Sequence, residues 1–238
     1  MSVDYFAGMS QTVVLIFAKY PTAGAVKTRM TPPLSGEEAA ELHEACLRMV
    51  CENVASVSTL EMKLVVTPDD RAIDLARRVG LHEADAWPQG DGDLGDRLSR
   101  AVVRAFNGHA RSVLLLGADS PSLPIGKLHE AIDALDDHHV VLGPCADGGY
   151  YLLGLSASTS ALLTGIDWGS DCVADQTRRR ADEVGIDLHE VSKWYDLDRF
   201  EDIARARRDL LDVELSDRPM ARVLLERVTG LVHKYSEG

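Results

Sequence analysis

The chain has 238 residues, 45% of them hydrophobic, and 25 Lys and Arg against 38 Asp and Glu give a formal net charge of −13. That balance argues against non-specific binding to nucleic acid, which depends on neutralising phosphates. Apolar runs such as those at residues 13–18 and 113–116 are too short to span a bilayer. The first residues lack the basic flank and apolar stretch of a secretory signal. Cys46, Cys51, Cys145 and Cys172 form no CxxC pair and no metal-finger spacing, so buried free thiols and a reducing cytoplasm are expected.

In chain order, residues 13–18 form a continuous apolar, β-branched run that predicts a strand buried on both faces. A loop with Pro21, Gly24, Pro32 and Pro33 follows. Ser35-Gly-Glu-Glu38 has the capping-box pattern. It opens a helix whose apolar positions Ala39, Leu42, Cys46, Met49, Val50 and Val54 recur at three and four. Residues 62–66 predict a second strand and residues 67–70 the start of another helix. Residues 82–88 do not read as a strand, and a helix is expected over 97–106. A third strand is predicted at 112–117, a helix at 125–135, and two further strands at 140–143 and 150–155, with some antiparallel pairing. A helix at 171–184, a strand at 187–191 and helices at 199–211 and 219–233 complete the chain. No repeat, low-complexity tract or linker interrupts the pattern, so one domain over 1–238 is expected, with its core at about 13–212. The alternation implies an α/β fold, a Rossmann-like three-layer sandwich with a mostly parallel mixed sheet. In such open sheets ligands bind beyond the carboxyl ends of the strands.

That rule selects the polar residues to weigh. Residues 5–36 contain no Asp or Glu but do contain Lys19, Lys27 and Arg29, a basic island in an acidic chain and a candidate site for an anionic small molecule. Gly24 allows a tight turn, and Thr28 adds a hydroxyl between Lys27 and Arg29. A P-loop is excluded because Val26, not Gly, precedes Lys27-Thr28. After the third strand comes Asp119, a candidate Mg²⁺ ligand or a turn cap. Asp147-Gly148-Gly149 permits close backbone approach to a ligand, and equally reads as a hairpin turn. Asp196 and Asp198 share a side if extended, as metal carboxylates or as the cap of the next helix. Residues 90–95 spell a literal G-x-G-x-x-G. Without a strand before it this is not a dinucleotide fingerprint, although Gly92 and Gly95 can still contact a nucleotide or sugar. The eight histidines show no ligand spacing and are read as bystanders, and Trp168 reads as a buried residue.

Residues 17–30 (FAKYPTAGAVKTRM), 90–95 (GDGDLG), 117–121 (GADSP), 147–154 (DGGYYLLG) and 196–198 (DLD) occur in this order. Together they resemble the glycosyltransferase-like family related to 2-phospholactate guanylyltransferase, within the GT-A nucleotide-diphospho-sugar transferase fold. The resemblance covers residues 13 to 212, and the segment from Lys27 to Met30 looks like the basic loop that lies along NTP phosphates in sugar-nucleotide pyrophosphorylases. It implies that Asp119 and Asp198, with Asp196 beside them, bind Mg²⁺ or Mn²⁺. A nucleotidyltransferase is the leading expectation: an acceptor phosphate or carboxylate attacks the α-phosphate of an NTP and releases pyrophosphate. Lys27 and Arg29 would neutralise the triphosphate, with Lys19 orienting the acceptor. The alternatives are a glycosyltransferase using an NDP-sugar and an inert nucleotide-binding module. Nucleic-acid and membrane partners are not expected, and the oligomeric state is left open.

Overall fold

The computed structural model describes residues 11–157 and 160–236. The apolar runs become the sheet. β1 (Thr12–Lys19), β2 (Leu60–Thr67), β3 (Ala86–Pro88), β4 (Ser112–Gly117), β5 (Val140–Pro144), β6 (Tyr150–Leu155) and β7 (Leu188–Glu190) pair in the order β3-β2-β1-β4-β6-β5-β7. β1 is parallel to β2 and β4, β2 to β3, and β5 to β7, while β6 is antiparallel to both β4 and β5. Among the described strands only β6 therefore runs against the rest, as the paired runs at 140–143 and 150–155 suggested.

Alternate side chains of β1 feed opposite faces, as strand geometry requires. Val14, Ile16 and Ala18 pack with Leu47, Val50 and Val54 of α1 (Gly36–Ala55), Leu75 and Ala76 of α2 (Ala72–Arg78), and Leu128, Ala131 and Leu135 of α4 (Ile125–Asp137). Val13 and Leu15 meet Leu98, Ala101, Val102 and Ala105 of α3 (Leu94–Asn107) and Ala174 and Ala181 of α5 (Val173–Val184). These are the three layers. Because α1 and α3 lie on opposite faces, the chain order reverses between β1 and β4, and the crevice beyond their carboxyl ends is the expected ligand site.

α1 is buried on two sides. Its Leu42, Ala45, Cys46 and Met49 turn away from the sheet and pack with Ile203, Ala206 and Leu210 of α6 (Asp202–Leu211) and Ala221, Leu224 and Val228 of α7 (Pro219–Ser236). The capping box at its start forms as predicted: Glu38 N donates to Ser35 Oγ at 3.2 Å and Ser35 N to Glu38 Oε2 at 2.8 Å. No helix among the described residues is long and apolar enough to cross a membrane.

Two expectations are corrected. Residues 86–88 do form a strand, a three-residue edge strand parallel to β2 that directly precedes the 90–95 loop. The loop still offers no free helix N-terminus to a dinucleotide, because Asp93 caps α3 with its own carboxylate, accepting from Asp96 N at 2.9 Å. The helix expected from residue 199 starts at Asp202, whose carboxylate accepts from Asp198 N at 3.1 Å and Arg199 N at 2.7 Å and so holds those residues in a preceding turn.

Glu38 also links the start of α1 to the end of α7, accepting from Lys234 Nζ at 2.7 Å and Tyr235 Oη at 2.8 Å. The Lys234 ammonium first, then the Ser35 amide and Tyr235 hydroxyl, lower its pKa from 4.5 to about 2. A depressed carboxyl stabilises the fold above its unfolded pKa, and this contribution fades as pH falls from 4.5 towards 2. Glu38→Gln should therefore melt below the wild type at pH 6, and thermal melts should show the gap closing by about pH 2. A gap independent of pH would contradict the assignment.

Candidate active site

β1 ends with Lys19, exposed and without an ion-pair partner among the described residues. The following loop turns at Gly24, whose φ of 77° suits glycine, and Ala25 N closes the turn on Thr22 O at 3.0 Å. Lys27 then adopts φ 45°, ψ 40°, a left-handed conformation that is uncommon outside glycine, Asn and Asp. Its side chain is 2% exposed and its ammonium donates to Asp119 Oδ1 at 2.6 Å and to Leu197 O at 2.5 Å. Burial opposes the charge on Lys27, but Asp119 foremost and Asp198 more weakly reverse this and raise its pKa.

Asp119 follows β4 by two residues, and its side chain remains 46% exposed. Burial works against its ionised form, yet Lys27 first, and Lys19 more weakly, hold the carboxyl below its ordinary value. The segment that carries Asp196 and Asp198 is fastened to the same loop. Leu197 N donates to Asp119 O at 2.6 Å, Ser120 Oγ lies 3.2 Å from Tyr195 O, and Ser122 Oγ lies 2.9 Å from Tyr195 Oη. Asp198 is therefore not at a strand end. It lies eight residues past β7 and reaches the site by pairing with the β4 loop. Arg29, 61% exposed, binds Asp198 Oδ2 at 2.6 Å, and Asp198 is 33% exposed. Asp147, in the turn between β5 and β6, adds its negative charge to the field at Arg29.

The structure thus gathers Lys27, Arg29, Asp119 and Asp198 at the edge between β1 and β4, with Asp147 near Arg29 and Thr28 exposed on the same loop. Several expected roles change. Lys27 does not face open solvent ready for a triphosphate; it is buried against Asp119. Asp196, expected beside Asp198 as a metal carboxylate, instead accepts from Ser120 Oγ. Burial first, with Asp119 and Asp147 adding, pushes the Asp196 carboxyl up to about 7. Gly148 serves the protein rather than a ligand, since a Cβ there would sit 1.6 Å from Asp171 O, and its own carbonyl accepts from Ala174 N at 2.9 Å. Gly149 closes the Asp147 turn, donating to Asp147 Oδ1 at 3.1 Å. Gly95 is buried against Leu163 O and Trp168 Nε1, and Gly92 makes room for the Asp96 carboxylate, so neither glycine owes its missing side chain to a nucleotide. Trp168 is half-buried against Tyr150 rather than fully enclosed, and Cys172 is likewise half-buried while the other three cysteines are buried.

One residue read as a bystander belongs here. His43 is buried on α1, with Nε2 3.0 Å from Lys19 O and Nδ1 without a partner among the described residues. Burial, reinforced by Lys27, pushes the ring below its ordinary pKa against the pull of Asp119, so it stays neutral and Nε2 carries the proton it donates. It fixes the end of β1, where the loop begins. The signal in the sequence is its place three residues before Cys46, on the apolar side of an otherwise regular helix.

A family model described as an uncharacterized protein conserved in bacteria (DUF2064) matches residues 50–170. The chain belongs to that family. A phosphoenolpyruvate guanylyltransferase of Mycobacterium leprae is 30% identical over 212 residues, covering 85% of this chain and 91% of the relative. The crystal structure of a protein from Desulfovibrio desulfuricans G20, provisionally described as a nucleotide-diphospho-sugar transferase, is 26% identical with a TM-score of 0.83, covering 95% of this chain and 99% of that one. CMP:2-keto-3-deoxy-manno-octonic acid synthetase complexed with CTP shares the fold at 13% identity and a TM-score of 0.56, covering 84% and 98%. The chain is a transferase of the nucleotidyltransferase class, and the GT-A-like α/β fold expected from its motifs is the fold observed.

Asp119→Asn is nearly isosteric, yet it removes the counter-ion of a buried ammonium. We expect it to lower stability by roughly 2 kcal/mol, less than the loss from a fully enclosed pair because Asp119 is half open to water. Urea denaturation measures this directly, and an unchanged midpoint would contradict the ion pair.

Proposed function

We propose that the protein transfers a guanylyl group from GTP to a small acid bearing a phosphate, of the phosphoenolpyruvate type. The acceptor's phosphate oxygen attacks the α-phosphorus, the bond from that phosphorus to the β-bridging oxygen breaks, and pyrophosphate leaves. The observation that carries this reading is the meeting of the acid-free basic loop with Asp119 and Asp198 at the β1–β4 switch point, tied by two ion pairs. A relative named for guanylyl transfer to phosphoenolpyruvate, aligned over most of both chains, supports the choice of base and acceptor.

The loop residues divide the work. Arg29, exposed and forked, suits phosphate oxygens bidentately, and the exposed Thr28 and Lys19 contact the rest of the nucleotide or the acceptor. Lys27 remains with Asp119 and contributes its charge to the floor of the site. Asp147, whose carboxylate accepts from Gly149 N, is near enough to act on the charge of Arg29 and borders the substrate in this reading.

Among the described residues no cluster of three or more His, Cys, Asp and Glu could hold a metal ion by itself. The donor set nevertheless fits Mg²⁺ or Mn²⁺, since Mg²⁺ takes one or two carboxylates and fills its sphere with phosphate oxygens and water. Asp119 and Asp198, both partly open, would hold it, with Asp196 behind them. When bound, such an ion offsets the charge that builds on the reacting phosphates. In-line transfer otherwise asks for positioning and charge, not a protein nucleophile. A single domain in a cytoplasm that supplies GTP, where four unpaired thiols are stable, accords with this reading.

Each NTP should be incubated with Mg²⁺ and a panel of small phosphorylated acids while pyrophosphate release is followed. GTP with a phosphoenolpyruvate-type acceptor should be the productive pair. Arg29→Ala should lower kcat/KM at least tenfold, the equivalent of the ~1.5 kcal/mol of a charge-assisted contact. Release of NDP from sugar nucleotides, with no pyrophosphate from any NTP, would transfer the assignment to glycosyl transfer.

A further inference from the structure

Both carboxylates assigned above to the metal are already held by cations of the protein. We infer that Lys27 and Arg29 keep Asp119 and Asp198 closed to a divalent ion until an anionic nucleotide arrives, so that metal and nucleotide enter the site together. This rests on the metal reading just given and adds an order of loading to it.

The two ion pairs are unequal, and the difference carries the argument. Lys27 is fixed. Its side chain is 2% exposed, and its ammonium is bonded both to Asp119 Oδ1 and to the carbonyl of Leu197, which the Leu197 N to Asp119 O bond holds in place. A cation approaching Asp119 therefore meets a permanent positive charge 2.6 Å from the carboxylate oxygen. Arg29 lies largely in solvent. At 61% exposure it can leave Asp198 for a better anion with little loss of packing.

A polyphosphate supplies what each pair lacks. It draws Arg29 away through bidentate contacts, which opens Asp198, and its negative charge offsets the repulsion between Lys27 and the incoming ion. Metal and nucleotide then raise each other's affinity, and by linkage the coupling is reciprocal. A divalent ion alone gains neither advantage.

The test is Mn²⁺ binding to the nucleotide-free protein, read from the electron paramagnetic resonance of free Mn²⁺. The wild type is compared with Lys27→Met, Arg29→Ala and the double variant Lys27→Met/Asp119→Asn. Lys27→Met should bind Mn²⁺ at least tenfold more tightly than wild type, Arg29→Ala a few-fold more tightly, and the double variant should lose the gain. Thermal melts establish that each variant is folded, and if Lys27→Met is not, the gain in Arg29→Ala decides. Equal Mn²⁺ affinity in the wild type and every folded single variant would overturn the inference. Metal-dependent pyrophosphate release by the wild type is scored separately. If it persists while the variants show no gain, the order of loading is wrong and the metal reading stands. If it is absent whatever metal is added, the metal reading itself fails.

Discussion

The ammonium of Lys27 is the point on which the site depends. It joins three stretches of chain far apart in sequence: its own loop after β1, Asp119 after β4, and Leu197 beyond β7. A charge that far from water is tolerated only with a close counter-ion and further hydrogen bonds, and both are present. Everything else at the crevice is arranged around that contact. Arg29 reaches Asp198 because Arg29 lies two residues after Lys27 and Asp198 lies one residue after Leu197, whose carbonyl Lys27 binds.

The fold makes the contact possible by enclosing α1. One side of that helix rests on the sheet and the other under α6 and α7, so its first turns form a dry wall behind the basic loop. His43 and Cys46 stand on that wall. His43 holds Lys19 O, and the Cys46 thiol, which burial pushes up to about 12, contributes no charge of its own. A neutral wall leaves Asp119 as the nearest partner for Lys27, which favours the observed pairing over alternatives. The outer helices thus act on the site through α1, and α6 also holds the Asp198 backbone directly through its first residue, Asp202.

Local signals were readable in the sequence, and distant ones were not. The runs that became β1, β4 and β6 are apolar over their whole length, and the capping box at Ser35 is complete within four residues. β3 escaped because it is three residues long, lies at the edge and ends in proline, so neither period nor propensity marks it. The basic loop and Asp119 were legible as strand-end residues, but not that Asp198, eight residues past β7, joins them by pairing with the β4 loop, nor which charge meets which. Lys27 finds its partners 92 and 170 residues away. Glycines mislead for the same reason. Gly148 and Gly95 look like ligand-facing residues until Asp171, Leu163 and Trp168 fold against them.

The backbone at Lys27 gives an independent reason to regard its side chain as essential to the loop. A left-handed conformation costs an L-residue about 1–2 kcal/mol, and glycine, which the loop already uses at Gly24, would adopt it freely. A lysine there carries strain that only glycine, which lacks a Cβ, would avoid. The ammonium recovers that cost through a charge-assisted bond of 2.6 Å and a second bond to a carbonyl, each stronger than a neutral contact. Glycine would ease the turn and leave Asp119 with no cation of the protein at its oxygen. The strained backbone is therefore the local expression of a long-range requirement, a fixed positive charge under the carboxylate that faces the crevice.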